Sequence, residues 1–500
     1  MELFDNLILG FSVAGSPMNI LLCLVGVMVG TLIGVLPGIG PVGALAMLLP
    51  VTFYLTPTGA LIMLAGIYYG AQYGGSTTAI LVNMPGESSS VVTCLDGHQM
   101  ARKGRAGSAL AIAALGSFFA GTVSTLLIAV AAVPLSRVAL SFGSPEYFSL
   151  MLLGLVGAVV LASGSIVKAI GMIVLGVCLG LVGTDVSTGV QRFTFGSPTL
   201  MEGIDFVTLA LGIMGVTEII LNLARREATT EVISKIESLW PSREEAKASV
   251  GPVVRGTLIG SVLGLLPGGG GVLASYASYT MEKKLARDPR RFGNGAVEGL
   301  AGPESANNAG AQTSFIPMLT LGIPSNAVMA LLVGAMMIQG IAPGPDVMLE
   351  QPELFWGIIA SMWIGNAMLL VINLPLIGLW VSLLKVPYRL LCPCIALICA
   401  VGAYSVNYSI TDLWFVAGFA FLGYIFKKVG CEAAPLVLGF ILGPGLEENL
   451  RRSMVVGRGD PMIFLNRPIS LALLTLTAVL ILFVVLPHFR QSREVVFQDD

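Results

Sequence analysis

The stretch Gly26 to Gly40, GVMVGTLIGVLPGIG, is written a second time as GTLIGSVLGLLPGGG at Gly256 to Gly270. Seven of the fifteen positions are identical: Gly26/Gly256, Gly30/Gly260, Gly34/Gly264, Leu36/Leu266, Pro37/Pro267, Gly38/Gly268 and Gly40/Gly270. The copies lie 230 residues apart in a chain of 500, which implies two related halves. In each copy the spaced glycines fall on one helix face, where a second backbone can approach closely. Each row then runs into a Pro-Gly tip, where proline removes a donor and the helix is expected to break. A fold for this chain must therefore hold two equivalent helices that are tightly packed and then interrupted.

Hydrophobic residues make up 55% of the chain and charged residues 11%, with a mean hydropathy of +0.86. A soluble domain carries about 25% charge, so the expected body is an all-α polytopic membrane protein. Apolar segments with at most one charge recur, for example at 106–133, 206–223, 369–384 and 468–486. They lack the strict alternation of a barrel, and backbone groups in lipid then require helices, about 10–12 of them. The amino terminus shows neither a basic region nor an Ala-x-Ala site, so no cleaved signal is expected. A net charge of −2 with scattered basic residues gives no stripe for a phosphate backbone, and no nucleic-acid partner is expected. The seven cysteines, with Cys392, Cys394 and Cys399 together in an apolar segment, and the histidines His98 and His488 show no metal-ligand spacing. They read as small packing residues, with no metal site and no cofactor.

Loop charges organise the chain. Residues 1–101 contain no Lys or Arg, and the first basic loop is 96–105; by the positive-inside rule that loop is cytoplasmic. Residues 1–224 form the first half, 225–250 an amphipathic cytoplasmic linker, 251–353 the core of the second half, and 354–500 further helices and a short tail. The segment Val429 to Gly445 lies between basic clusters and is expected to be a hairpin. The turn after the first Pro-Gly tip, near Pro57, has no basic residue, whereas its counterpart at 283–291 has five. The order reverses further on: Arg102, Lys103 and Arg105 face a counterpart loop, 340–353, with none. Equivalent loops on opposite sides are the charge signature of an inverted-topology repeat with broken or re-entrant helices.

The functional signal lies in two polar runs, GAQYGGSTTAILVNMPGESSS at 70–90 and GPESANNAGAQTSFIPMLTLGIPSN at 302–326. Gly70-Ala71-Gln72 recurs at an offset of 240, and Met84-Pro85 is echoed by Ile323-Pro324 at 239. Hydroxyls and amides inside apolar sequence are costly to bury unpaired, and a second pair of helix breaks is expected near Pro85 and Pro324. Half-helix amino termini at such breaks offer N–H groups to an anion, and freed carbonyls can ligate sodium. The candidate substrate-binding residues are Gly38, Gly40, Ser76, Thr77, Thr78, Asn83, Gly268, Gly270, Asn307, Asn308, Thr313, Ser314, Ser325 and Asn326. Glu87 and Glu304, acids beside Pro and Gly within the membrane, are coupling-ion candidates for Na+ or H+. LLPGGGG lacks the Lys-Ser/Thr of a phosphate-binding loop and follows no strand.

Five stretches, GVLPGIGP at 34–41, YGGSTTAILVNMPGE at 73–87, DGHQMARKGRAGSAL at 96–110, GLLPGGG at 264–270 and PESANNAGAQTSFIPMLTLGIPSN at 303–326, resemble the large membrane subunit of the tripartite tricarboxylate transporter family. The resemblance implies a secondary transporter of the bacterial inner membrane. Its partners would be a small membrane subunit and a periplasmic substrate-binding protein that delivers a citrate-like carboxylate for cation-coupled uptake. The expectation is thus a permease importing a small organic di- or tricarboxylate, with no catalytic residues. An ion-coupled carrier for another organic anion is the alternative. An intramembrane enzyme lacks a visible catalytic dyad, and an assembly scaffold would not need paired polar breaks.

Overall fold

The structure, a computed structural model, describes residues 2–36, 40–139, 141–161, 165–185, 188–224, 238–266, 270–383 and 388–485. The expected Pro-Gly tips at 37–39 and 267–269 lie outside the described residues, as does 225–237 of the linker. The helices on either side of the tips are described.

An amino-terminal helix not expected from the sequence, α1 (Glu2–Ala14), precedes α2 (Pro17–Val35), whose first turn is capped by Ser16 with Pro17 behind it. The chain leaves helical geometry at Leu36 and restarts in α3 (Gly40–Leu48), where Gly40 has φ of 63°, a conformation that favours glycine. A 3-10 turn through Pro50 leads to α4 (Pro57–Val82), then α5 (Val91–Met100) and α6 (Ala106–Ala139). Next come α7 (Ser144–Leu161), α8 (Ile166–Gly180), and α9 (Phe206–Ala210), which continues through a π-helical segment into α10 (Thr217–Ala224).

The second half repeats the plan. Helix α11 (Arg243–Leu263) starts at a capping box formed by Ser242 and Glu245, so Arg243 to Val250 belong to this helix. It is followed by α12 (Gly270–Leu285), α13 (Val297–Thr313), α14 (Phe315–Leu321) and α15 (Ala327–Ile338), and Gly270 again has positive φ, 41°. The remaining helices are α16 (Pro352–Asn373), α17 (Ile377–Leu383), α18 (Tyr388–Asn407), α19 (Ile410–Lys428), α20 (Ala433–Val456) and α21 (Pro468–Val485). The anticipated hairpin at 429–445 is absent, because α20 runs on through Pro444. Arg451, which suggested a return to the basic side, is matched instead by Asp185 at 3.1 Å and Glu447 at 2.5 Å. Among the described residues, four helical stretches, 17–35, 88–135, 352–373 and 410–428, are long and apolar enough to cross a membrane, and several shorter apolar helices accompany them.

The glycine rows pack in the same way in both halves. A Cβ placed on Gly26, Gly30 or Gly34 would lie 2.3 Å from the carbonyl oxygen of Met63, Ile67 or Ala71 on α4. On Gly256, Gly260 and Gly264 it would meet the carbonyls of Gly302, Ala306 and Gly310 on α13 at 2.2, 2.2 and 2.4 Å. Each partner in the second half stands 239 residues after its counterpart, so Gly310 takes the place of Ala71. The Gly-Ala-Gln echo at 240 is therefore one residue out of register, and the Pro85/Pro324 echo is in register.

The helices α4 and α13–α14 cross antiparallel. Tyr68 and Tyr69 meet Phe315 at centroid distances of 6.5 and 5.8 Å, Ser76 bonds Glu304, and Ile80 lies with Leu300 around Gly97. At the end where α5 closes, Asp96 accepts from the N–H groups of Gly295 (2.7 Å) and Ala296 (2.8 Å) and from Tyr279 (3.1 Å). Arg105 pairs with Glu245 at 2.9 Å and donates to Gly295 O at 2.9 Å. Burial opposes charge on Glu245, but donors from Ser242, Arg105 and Ser108 hold its carboxyl below the usual range. At the opposite end Gln339, after α15, donates to Thr52 O at 2.5 Å. Each half is thus tied to the other at both ends. Asp96 is fully buried, so Asp96→Ala strands two N–H groups at the start of α13. It should lower unfolding stability in detergent by at least about 2 kcal/mol, measured by thermal or denaturant unfolding.

Candidate functional site

The two polar runs meet in the interior. Residues Ser76, Thr77 and Thr78 lie within the last turns of α4, and Asn83 ends that helix in the left-handed region at φ 58°. The chain then folds back through Gly86, whose Cβ would meet Gly34 O at 2.2 Å and Gly75 Cα at 2.5 Å. This return, enforced by glycine, places Glu87 beside α4 rather than beyond its end. In the second half Glu304, Asn307 and Asn308 lie on α13, which hands over to α14 at Ser314. Gly322 stops α14 at φ 72°, and Asn326 caps α15 by accepting from Met329 N–H at 3.0 Å. The expected breaks near Pro85 and Pro324 are present, and both lie in the return from one helix to the next.

The two acids are bonded across the halves. Glu304 Oε2 accepts from Ser76 at 2.6 Å, and its Oε1 accepts from Thr93 of α5. Glu87 Oε1 accepts from Ser89 at 2.6 Å and from Asn307 Nδ2 at 3.0 Å. Gln72 accepts from Ser89 at 3.4 Å, and Asn308 Nδ2 donates to Ser117 of α6 at 2.7 Å. So the acid of each half is held by donors that include side chains of the other. Both carboxylates are buried, Glu87 to 8% exposure and Glu304 to 1%, and among the described residues no Lys or Arg contributes to their surroundings. An acid at such depth is held for function in most membrane proteins.

Several predicted residues bond the backbone. Thr78 donates to Val35 O at 2.8 Å, closing the carbonyl that the α2 break leaves open. Ser314 bonds Gly310 O at 2.7 Å and reaches Gly264 O at 3.3 Å in the equivalent place. Thr313 bonds Ala309 O, Thr77 bonds Tyr73 O, and Ser325 reaches Ser314 O. Asn326 Nδ2 donates to Ser314 at 3.2 Å. Gly40 and Gly270 begin half-helices, whereas Gly38 and Gly268 lie outside the described residues. The hydroxyl role of Thr78 predicts that Thr78→Val costs about 1–3 kcal/mol of stability through an unpaired buried carbonyl. Substrate affinity of the folded fraction should change less than threefold, measured by ligand-dependent melting.

Gln72, Ser89, Thr93 and Ser117 complete the network and were not singled out from sequence. Ser89 and Gln72 stood in the quoted run, but a lone Ser117 in the apolar α6 carries no local signal. Two acceptors are left over: Asn307 Oδ1 and Gln312 Oε1 are buried without a partner among the described residues. Gly271, in the first turn of α12, lies against this amide: a Cβ there would fall 2.1 Å from Asn307 Oδ1 and displace it. The second half-helix therefore starts against the acid–amide cluster. A separate cleft of about 1300 Å³ reaches the far side of the α14–α15 break at Leu321 and Gly322, between Tyr147, Asp205, Asp412 and Arg452. None of the sequence-predicted site residues lines it.

Apolar helices, interrupted equivalently in two halves around buried carboxylates and amides, define a multi-pass membrane protein with the build of a carrier. Residues 20–438 match the "Tripartite tricarboxylate transporter TctA family", and the chain belongs to that transporter family. It is 59% identical over 501 residues, covering all of both chains, to an Agrobacterium vitis protein described as an "Uncharacterized 52.8 kDa protein in TAR-I ttuC' 3'region". A second Agrobacterium vitis protein, described as an "Uncharacterized protein in TAR-II ttuC' 3'region", is 58% identical over 241 residues, 48% of this chain and all of the relative. No solved structure matches.

Proposed function

We propose that the chain is the permease of a cation-coupled system in a bacterial inner membrane that imports a small di- or tricarboxylate of the citrate class. A periplasmic binding protein delivers the substrate, and a small membrane subunit accompanies the permease. The observation that carries the reading is the reciprocal bonding of Glu87 and Glu304 across the two halves, next to the starts of half-helices. A carboxylate substrate would meet N–H groups and dipole ends there, with no fixed cation, so a co-transported Na+ or H+ supplies the missing positive charge.

The two halves act as an inverted repeat. The reversed loop charges, the antiparallel crossing of α4 and α13, and the tie of each half to the other at both ends support this. Movement of one half against the other would exchange the bonds of Glu87 and Glu304 and alternate the side from which the cluster is reached. Single cysteines at Thr58 and Arg290, equivalent turns of the two halves, should react with a membrane-impermeant reagent from opposite sides. Labelling from the same side would overturn the inverted repeat. For the substrate, a di- or tricarboxylate should raise the melting temperature of the purified protein in proportion to ln(1 + [L]/Kd). Its amide should not, and a carboxylate panel without effect on the permease and on its binding protein would overturn the assignment.

A further inference from the structure

A much smaller cavity adjoins the acid–amide cluster where the end of α16 meets α4 and α6. It measures about 10 Å³, room for one water-sized species and far too little for a carboxylate substrate. Its polar wall is Tyr73, Ser76, Thr77, Ser117 and Asn373, and the rest is apolar. Most polar hydrogens on that wall are already donated. Ser76 gives its hydrogen to Glu304 at 2.6 Å, Thr77 to Tyr73 O at 3.3 Å and Tyr73 to Asn366 Oδ1 at 2.7 Å. The Asn373 amide nitrogen donates to Leu369 O at 2.9 Å, while its Oδ1 is buried with no partner among the described residues. Asn373 itself is 4% exposed. What the wall has left to offer is chiefly oxygen lone pairs, at the carboxy-terminal and hence negative end of α16.

We infer that this cavity binds one dehydrated sodium ion, held by oxygens of Thr77, Ser117 and Asn373, with Ser76 linking it to the Glu304 carboxylate. The inference rests on the cation-coupled reading above and locates its ion. It reassigns Ser76 and Thr77 from substrate to cation. Hard oxygen ligands suit sodium, and a cavity this small disfavours the larger potassium. Glu304 does not line the cavity and is joined to it through the Ser76 hydrogen bond. Sodium bound here would fix Ser76 against Glu304 and so favour the arrangement in which the acid–amide cluster is assembled for substrate.

The test uses the full-length protein, purified for melting curves and reconstituted with its partner subunits for uptake, with choline holding ionic strength constant. Sodium should raise the wild-type melting temperature and potassium should not. In Asn373→Leu and Thr77→Val the sodium concentration for half-maximal uptake should rise at least tenfold. Thr77→Ser, which keeps the hydroxyl oxygen and adds no charge, should stay within threefold of wild type. If Asn373→Leu fails to fold, Thr77→Val carries the comparison, since valine keeps the shape and removes the oxygen. A wild type that needs sodium, with both variants unchanged in their sodium requirement, would overturn the site and leave the coupling reading intact. A wild type indifferent to sodium in melting and in uptake would overturn this site, and coupling would then fall to protons or fail.

Discussion

Glu304→Ala should reduce carboxylate uptake in proteoliposomes at least about 100-fold, a loss worth roughly 2.7 kcal/mol. The carboxylate takes hydrogens from Ser76 on α4 and from Thr93 on α5, so its removal strands the buried Thr93 hydroxyl, leaves Ser76 only Gln72 O at 3.1 Å, and cuts one of the ties between the halves. A stranded hydroxyl costs about 1–3 kcal/mol. Part of that cost falls on folding, and Glu304→Gln separates the two effects because the amide oxygen can still accept from one of them. If charge at this position serves coupling, the glutamine variant should fold, bind substrate within a few-fold of wild type, and lose accumulation driven by a cation gradient. Full gradient-driven uptake in Glu304→Gln would remove Glu304 from the mechanism. Glu87→Gln should behave alike but more mildly, since Asn307 and Ser89 donate to one oxygen of the pair.

Gly260→Ala should destabilise the protein by about 3 kcal/mol or more, enough to lose most folded material. The added methyl would lie 2.2 Å from Ala306 O and 2.8 Å from Ala309 Cβ, and neither backbone nor a neighbouring helix can yield locally. The same change at Gly171, in the middle of α8, meets nothing within 4 Å. There alanine should be neutral or stabilising by up to about 1 kcal/mol, through its helix propensity. Comparable melting temperatures for the two variants would refute the close approach of α11 and α13. Gly30→Ala should repeat the Gly260 result, because its methyl would lie 2.3 Å from Ile67 O.

The fold was legible in sequence wherever a local rule is strong. Glycines at four-residue spacing allowed only close helix contact, and that is what Gly26 to Gly34 and Gly256 to Gly264 make. The uncharged run at 106–133 gave most of α6, whereas the run at 369–384 straddles the end of α16 at Asn373 and the separate helix α17. Helices whose charges are matched in the fold were less legible: Glu2 and Asp5 make the first turns of α1 polar, and in α20 Arg451 pairs with Asp185, far away in sequence, as well as with Glu447 one turn before it. The site was legible in composition but not in wiring. That Glu87 and Glu304 are candidates could be argued from acids in apolar sequence. That each is held from the opposite half depends on contacts spanning more than 200 residues, such as Asn307 to Glu87. Thr78 and Ser314 show the limit of residue type alone, since hydroxyls that close a broken helix look the same in sequence as hydroxyls that bind substrate.

The most direct test of the central claim is uptake of a labelled tricarboxylate into proteoliposomes holding the permease, its small membrane subunit and its binding protein, without ATP. Imposing an inward sodium or proton gradient should drive accumulation above the external concentration, and an ionophore that dissipates that gradient should abolish it. Accumulation indifferent to both gradients, or none for any di- or tricarboxylate that the binding protein holds, would contradict a cation-coupled permease.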